Sequence, residues 1–126
     1  MKGEAPQPEG ISTPKAPYSP VVVSGDLVAT AGQVAFDENG ELVGEGMESQ
    51  ARQVFDNLSR CLAAAGCGLE DVIKVTTFLA DFAEFERYNE IYARYFSPPY
   101  PARTTVQAGL APGLLIEVEA LARKPS

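Results

Sequence analysis

The residues best suited to chemistry are Arg103, in Pro101-Ala102-Arg103-Thr104-Thr105, and the acids of Leu115-Ile116-Glu117-Val118-Glu119-Ala120-Leu121. Pro101 fixes its own backbone angle and biases Tyr100 toward an extended conformation, which predicts Arg103 at the start of a strand. A guanidinium there offers a rigid fork of donors matched to a carboxylate. The second segment alternates, with Leu114, Ile116, Val118 and Ala120 on one face and Leu115, Glu117, Glu119 and Leu121 on the other. The expectation is a permanent cation beside carboxylates on neighbouring strands, a combination that binds a small anion and positions a water. The competing readings are a structural salt bridge from Arg103 to Glu117 or Glu119, and a merely solvated strand face for the acids. Acids two apart on a strand lie about 6.5–7 Å apart, a spacing also found in paired glycosidase carboxylates. A sugar cleft would want aromatic platforms, and the chain has no tryptophan.

Composition removes several other chemistries. Histidine is absent from the 126 residues, which excludes Ser-His-Asp, Cys-His and His-metal arrangements. Ten Lys and Arg against seventeen Asp and Glu give a formal charge of −7, which repels phosphate backbones and makes nucleic acid a poor partner. Cys61 and Cys67 have neither metal-ligand spacing nor the density of a disulfide scaffold, so they read as reduced core thiols. No apolar run is long enough to span a bilayer, and Met1-Lys2-Gly3-Glu4 leads into proline-rich polar sequence. A cytoplasmic protein without membrane partners is expected.

The elements that must position Arg103 and Glu117 follow from periodicity. Residues 1–17 form an extended N-terminal arm, because Pro6, Pro8, Pro14 and Pro17 prevent a continuous strand, and its first residues are expected to fray. Pro20 to Ser24, the turn Gly25-Asp26 and Leu27 to Phe36 read as a hairpin, with Glu41-Leu42-Val43 as a short extension broken by Gly44 and Gly46. From Met47 the spacing becomes three-and-four through Ala51, Val54, Phe55, Leu58, Cys61, Leu62 and Ala65, an amphipathic helix ended by Gly66. Its polar face carries Glu48, Arg52, Asp56 and Arg60, four apart with alternating sign. Val72 to Leu79 is β-branched and apolar enough for a buried strand. Asp81 and Glu84 make a capping-box pattern for a second helix, whose stripe of Phe85, Tyr88, Tyr92, Tyr95 and Phe96 reads as core before Pro98-Pro99 stops it. Asn89 lies on or beside that stripe and needs a hydrogen-bond partner.

The result is a single α+β domain over residues 1–126, with one sheet, two helices on one face and element order β-β-α-β-α-β-β. The opposite face is half apolar, which points to burial against copies of the same chain.

Several motifs together resemble the reactive intermediate deaminases, the RidA or YjgF family. They are Ala16-Pro17-Tyr18, Thr30-Ala31-Gly32-Gln33, Gln50-Ala51-Arg52-Gln53 with Asn57-Leu58, and Lys74 through Asp81. Phe85, Tyr88-Asn89, Tyr95-Phe96, Pro101-Ala102-Arg103 and Ile116 through Ala120 continue the pattern over nearly the whole chain. The resemblance implies a mixed-sheet, chorismate-mutase-like subunit in a homotrimer with clefts between subunits. It implies hydrolysis of short 2-imino and 2-enamino acids, such as 2-iminobutanoate, 2-iminopropanoate and 2-aminoacrylate, to 2-oxo acids and ammonia. By similarity Arg103 would hold the substrate carboxylate and Glu117 would position the attacking water. Tyr18 and Asn89 would line the cleft, and the backbone amides of Gly32 and Thr105 would donate to the ligand. No metal or organic cofactor is implied, because an imine carbon is already electrophilic and needs only orientation, water and proton transfer. The family usually has serine where this chain has Ala31, and often cysteine at the position of Thr105. Ala31 keeps open a second reading, a homotrimer that binds small carboxylates for regulation without turnover. A third, ribonuclease or translation-inhibitor activity, has been credited to resembling proteins; the negative charge and missing histidine oppose it.

Overall fold

Residues 3–126 are described by a computed structural model, so the expected fraying of Met1 and Lys2 lies outside the described residues. Five strands form one mixed sheet: β1 (Val21–Ser24), β2 (Leu27–Thr30), β3 (Val72–Leu79), β4 (Ala102–Gln107) and β5 (Ile116–Arg123). Their spatial order is β1-β2-β5-β3-β4. All neighbours are antiparallel except β3 and β4, which run parallel. Helix α1 (Met47–Ala64) connects β2 to β3, and α2 (Phe85–Tyr92) makes the crossover that a parallel pair requires.

Local chemistry explains most of these boundaries. Ser24 pairs with Leu27, so Gly25 and Asp26 form a two-residue hairpin loop, and Gly25 takes the positive φ of 62° that such a turn needs. The return strand is shorter than its residue types suggest. β2 ends at Thr30, and the chain leaves the ladder to make isolated bridges, Gln33 with Val118 and Phe36 with Leu42. The extension expected at residues 41–43 is reduced to that second bridge. The cause is visible in α1: Asn57 Nδ2 donates to Val34 O at 3.0 Å and to Phe36 O at 2.9 Å, drawing their carbonyls toward the helix and out of the sheet.

Gly66, at φ 80°, follows the end of α1 as expected. The predicted row of ion pairs along the helix is only partly formed. Arg60 Nε meets Asp56 at 2.9 Å, whereas Glu48 turns to α2 and receives Arg87 and Arg94, each at 2.6 Å. Two arginines fix α2 beside α1 and hold Glu48 below its usual carboxylate range, with the Arg94 hydrogen bond the main cause. At the second helix Asp81 accepts from Ala83 N at 2.9 Å, but no reciprocal bond from Glu84 completes a capping box. The first turn, Phe82–Glu84, is 3-10, and the regular helix ends at Tyr92, before the two prolines.

The core lies between the helices and one sheet face. Val54, Phe55, Leu58 and Leu62 of α1 and Tyr88 and Ile91 of α2 are fully buried over Val28, Val75, Leu79, Ile116 and Val118. Cys61 and Cys67 are free, buried thiols, and burial pushes the Cys61 thiol up to about 12. Among the described residues the other sheet face carries no helix. At the border of the sheet the N-terminal arm adds one bridge to β1, Glu4 N donating to Val23 O at 2.9 Å and Val23 N to Glu4 O at 2.7 Å. No helix among the described residues is long and apolar enough to cross a membrane.

Candidate active site

Strand alternation decides where each candidate side chain lies. On β4, Arg103 sits opposite Val75 and Thr105 opposite Thr77. Val75 and Thr77 are fully buried beneath the helices, so Arg103 and Thr105 share the helix-bearing face. On β5, Ile116 and Val118 are fully buried on that same face, so Glu117 and Glu119 point to the bare one. The arrangement expected from sequence, a cation beside carboxylates on neighbouring strands, is therefore incorrect for one subunit. β3 separates β4 from β5, and the two charges occupy opposite faces. A parallel β3–β4 pair is the reason, because the chain crosses over through α2 and places β4 at the outside of the sheet.

Among the described residues Arg103 is held without any carboxylate. Its Nη2 donates to Asn89 Oδ1 at 2.6 Å, which supplies the partner that a half-buried amide on α2 requires. Its guanidinium carbon lies 4.7 Å from the Tyr92 ring centroid, 5.5 Å from Tyr88 and 5.7 Å from Phe85. Aromatic faces attract the cation but leave the rest of its donors free. None of the ion pairs among the described residues includes Arg103, so the salt bridges to Glu117 and Glu119 weighed above do not form. Arg103 lines a hollow of about 300 Å³ with Asn89, Tyr92, Ala93, Tyr100 and Pro101. Thr105 Oγ1 and Tyr92 Oη are buried without a partner among the described residues.

The remaining candidates gather on the other side. Gln33 N donates to Val118 O at 2.8 Å and Val118 N returns a bond to Gln33 O at 3.0 Å, which lays Gly32 against Glu117. A β-carbon at Gly32 would stand 2.2 Å from Glu117 Oε2, so glycine is what lets this carboxylate reach its position. Burial, with the neighbouring Glu119 second, raises the Glu117 carboxyl above the ordinary glutamate range. Tyr18 is 59% exposed and shares with Gly32, Gln33 and Asn57 a second hollow of about 80 Å³. On the same bare face Lys74 Nζ donates to Thr104 Oγ1 at 2.7 Å and pairs with neither acid. Among the described residues no group of three or more Cys, Asp or Glu side chains is placed to hold a metal ion.

The structure thus groups Arg103, Asn89 and Thr105 on the helix-bearing side of the sheet and Gly32 with Glu117 away from them, while Tyr18 shares a hollow with Gly32. The sequence analysis names Gln50 and Asn57 within the motifs of the resemblance but assigns them no positioning role, which the structure supplies. Gln50 accepts from Leu115 N and donates to Gly113 O, both at 2.8 Å, which fixes the approach to β5. Asn57, oriented by Gln53 at 2.8 Å, fixes the loop that follows Gly32. Both are buried on α1. Their signal was present: Gln50 and Asn57 fall at helical spacing on the apolar stripe, where a polar side chain needs a specific partner.

Comparison with known proteins agrees with this architecture. Residues 10–124 match the family described as Endoribonuclease L-PSP. A RutC family protein of Pyrococcus horikoshii is 42% identical over 118 residues, covering 92% of this chain and 94% of that protein. The 2-iminobutanoate/2-iminopropanoate deaminase of Homo sapiens is 41% identical over 119 residues, covering 89% of this chain and 87% of that one. The crystal structure of RidA from the Antarctic bacterium Psychrobacter sp. PAMC 21119 superposes with a TM-score of 0.89 at 36% identity, over 95% of this chain and 98% of that one.

Proposed function

Since the chain belongs to the Endoribonuclease L-PSP family, the YjgF/RidA proteins, we propose that it deaminates short 2-imino and 2-enamino acids by hydrolysis, in the cytoplasm and as a homotrimer. The observation that carries this reading is an arginine with no carboxylate partner among the described residues, oriented by Asn89 at the edge of a hollow. A fork of this kind fits the carboxylate of a small acid. The two groups support an assembly in which the Arg103 face of one protomer meets the Glu117 face of the next, closing a cleft between them. Half-apolar cover on the bare face favours the same packing.

In such a cleft Arg103 fixes the substrate carboxylate and places C2 near Glu117. An enamine substrate first takes a proton at C3 and releases one from nitrogen to water, becoming the imine. Glu117 accepts a proton from water as the water oxygen bonds to C2 and the C=N electron pair moves to nitrogen, which is protonated. The carbinolamine then loses ammonia as its hydroxyl proton leaves, giving the 2-oxo acid. Burial raises the proton affinity of Glu117 above that of an ordinary glutamate, which suits a group that must take and return a proton. Substrates of this class include 2-iminobutanoate, 2-iminopropanoate and 2-aminoacrylate.

Coupling a threonine dehydratase to detection of 2-oxobutanoate tests the reading. This protein should accelerate product release, and Arg103→Ala should remove about 2–5 kcal/mol of binding to the acid. Ala31 favours a second reading, a homotrimer that binds small carboxylates without turnover. Affinity for 2-oxobutanoate with no acceleration of its release would select it. The formal charge of −7 weighs against RNA as substrate. RNA cleavage by purified protein that survives Arg103→Ala would count against the deaminase.

A further inference from the structure

Glu117 has a charged neighbour on its own strand. Glu119 stands two residues further along β5, so both carboxylates project from the bare face, about 6.5–7 Å apart along the strand. Like charges this close disfavour one another, and a cation beside them would ordinarily relieve the pair. Two cations project from the same face, and each is held elsewhere. Arg123, on the same side of β5 by strand alternation, pairs through Nε with Asp26 at 2.8 Å. Lys74 on β3 lies opposite Leu121, one diagonal step from Glu119 and within reach for a side chain of its length. Lys74 and Glu119 border one hollow of about 150 Å³. Yet Lys74 Nζ turns the other way and donates to Thr104 Oγ1 at 2.7 Å. No ion pair among the described residues involves Glu117 or Glu119. The other neighbours of Glu117 on the sheet are uncharged: Phe78 faces it on β3, Val106 follows on β4, and Gly32 lies against its carboxylate.

We propose that Glu119 is a positioning residue for the hydrolysis, acting through Glu117: its carboxylate, with both cations of the face engaged elsewhere, makes Glu117 a stronger base toward water. The proposal rests on the reading of Glu117 as the group that takes the proton. Burial is the larger cause of the raised Glu117 carboxyl, and Glu119 is the second. Thr104 and Asp26 act as anchors in this arrangement, because a lysine or arginine released onto the acids would cancel the effect.

The test follows the Glu117 carboxyl carbon by NMR titration and kcat/KM against pH, in full-length wild type, Glu119→Gln, Glu119→Asp and Glu117→Gln. Excess threonine dehydratase supplies 2-iminobutanoate at each pH, and spontaneous hydrolysis is subtracted. Glu119→Gln keeps the size and hydrogen-bonding capacity of the side chain without its charge, whereas Glu119→Asp keeps the charge on a shorter arm. In Glu119→Gln the titration midpoint of Glu117 and the acid limb of kcat/KM should both move lower by about half a pH unit, the order of a Coulomb interaction at this spacing beside water. Its kcat on the plateau should fall by about twofold, since a weaker base takes the proton less readily. Glu119→Asp should retain the wild-type midpoint. A side chain that serves packing alone would give the reverse, with Asp harmful, Gln harmless and the Glu117 midpoint unmoved in both. An unmoved midpoint in Glu119→Gln would overturn the role of Glu119 and leave that of Glu117 standing. A midpoint that moves while the acid limb stays in place would show charge coupling without catalytic use and overturn it too. An acid limb that persists in Glu117→Gln would assign the base to another group, removing the reading of Glu117 and the proposal with it.

Discussion

Arg103 and Glu117 project from opposite faces of one sheet, with β3 lying between the strands that carry them. No rotamer joins them through the sheet, so a reaction that needs both must draw them from different protomers. Trimers mixed from Arg103→Ala and Glu117→Gln chains should then regain turnover that neither parent has. In every trimer that holds both chains, about a third of the clefts would receive an intact arginine from one side and an intact glutamate from the other. Co-expression with two affinity tags, followed by assay of doubly purified trimers, checks this. Mixed trimers as inactive as their parents would reject a shared site.

Glu117 gives a prediction in which stability and turnover part. Its folded pKa is raised, so the folded chain holds the proton more tightly than the unfolded one. The charged form therefore costs stability at pH values above the folded pKa, and that cost fades as pH falls to the unfolded value. Glu117→Gln should raise Tm at pH 7, an advantage lost below about pH 4. Its kcat should fall by about a hundredfold or more, and wild-type kcat/KM should decline on the acid side as Glu117 takes its proton. Melting and rate profiles across pH measure both.

Gly32→Ala separates folding from catalysis at one atom. Gly32 is not among the glycines with positive φ, so the backbone accepts alanine, and the new methyl meets the flexible carboxylate end of Glu117. The fold should survive with little change in Tm while the carboxylate is displaced. A misplacement of this size should lower kcat by about tenfold to a hundredfold. Circular dichroism with steady-state kinetics would show it; unchanged kcat would mean that the position of Glu117 is unimportant.

Asn57→Leu should act through the loop behind Gly32. The substitution removes the donors to Val34 O and Phe36 O and the acceptor of Gln53 Nε2. A loss of about 1–3 kcal/mol in urea unfolding is expected. Turnover should fall with it, because the loop carries Gly32.

The sheet and both helices were legible because their apolar periods differ, and because Gly25 and Gly66 mark a hairpin and a helix end by conformations few other residues adopt. The candidate site residues were legible as chemical types, while their grouping was not. Whether Arg103 and Glu117 share a face depends on strand order, and order follows from the crossover through α2, to which no local pattern testifies. The end of β2 at Thr30 was hidden for a similar reason. Residues 31–36 have strand-like composition, but Asn57, some twenty positions later, competes for two of their carbonyls. At Asp81 the capping pattern was present, yet a 3-10 first turn brought Ala83 N to the aspartate and left Glu84 out of the motif.

The sheet's two borders are treated unequally. Beside β1 the proline-rich arm occupies a position where another chain's backbone would otherwise dock, while the β4 border has no such guard among the described residues. Strand-by-strand growth needs a vacant margin at each end of the growing unit. The Glu4–Val23 bridge covers part of one margin, so strand-by-strand growth through β1 would be obstructed there. Deleting the arm would expose that margin and leave the particle more prone to polymerise.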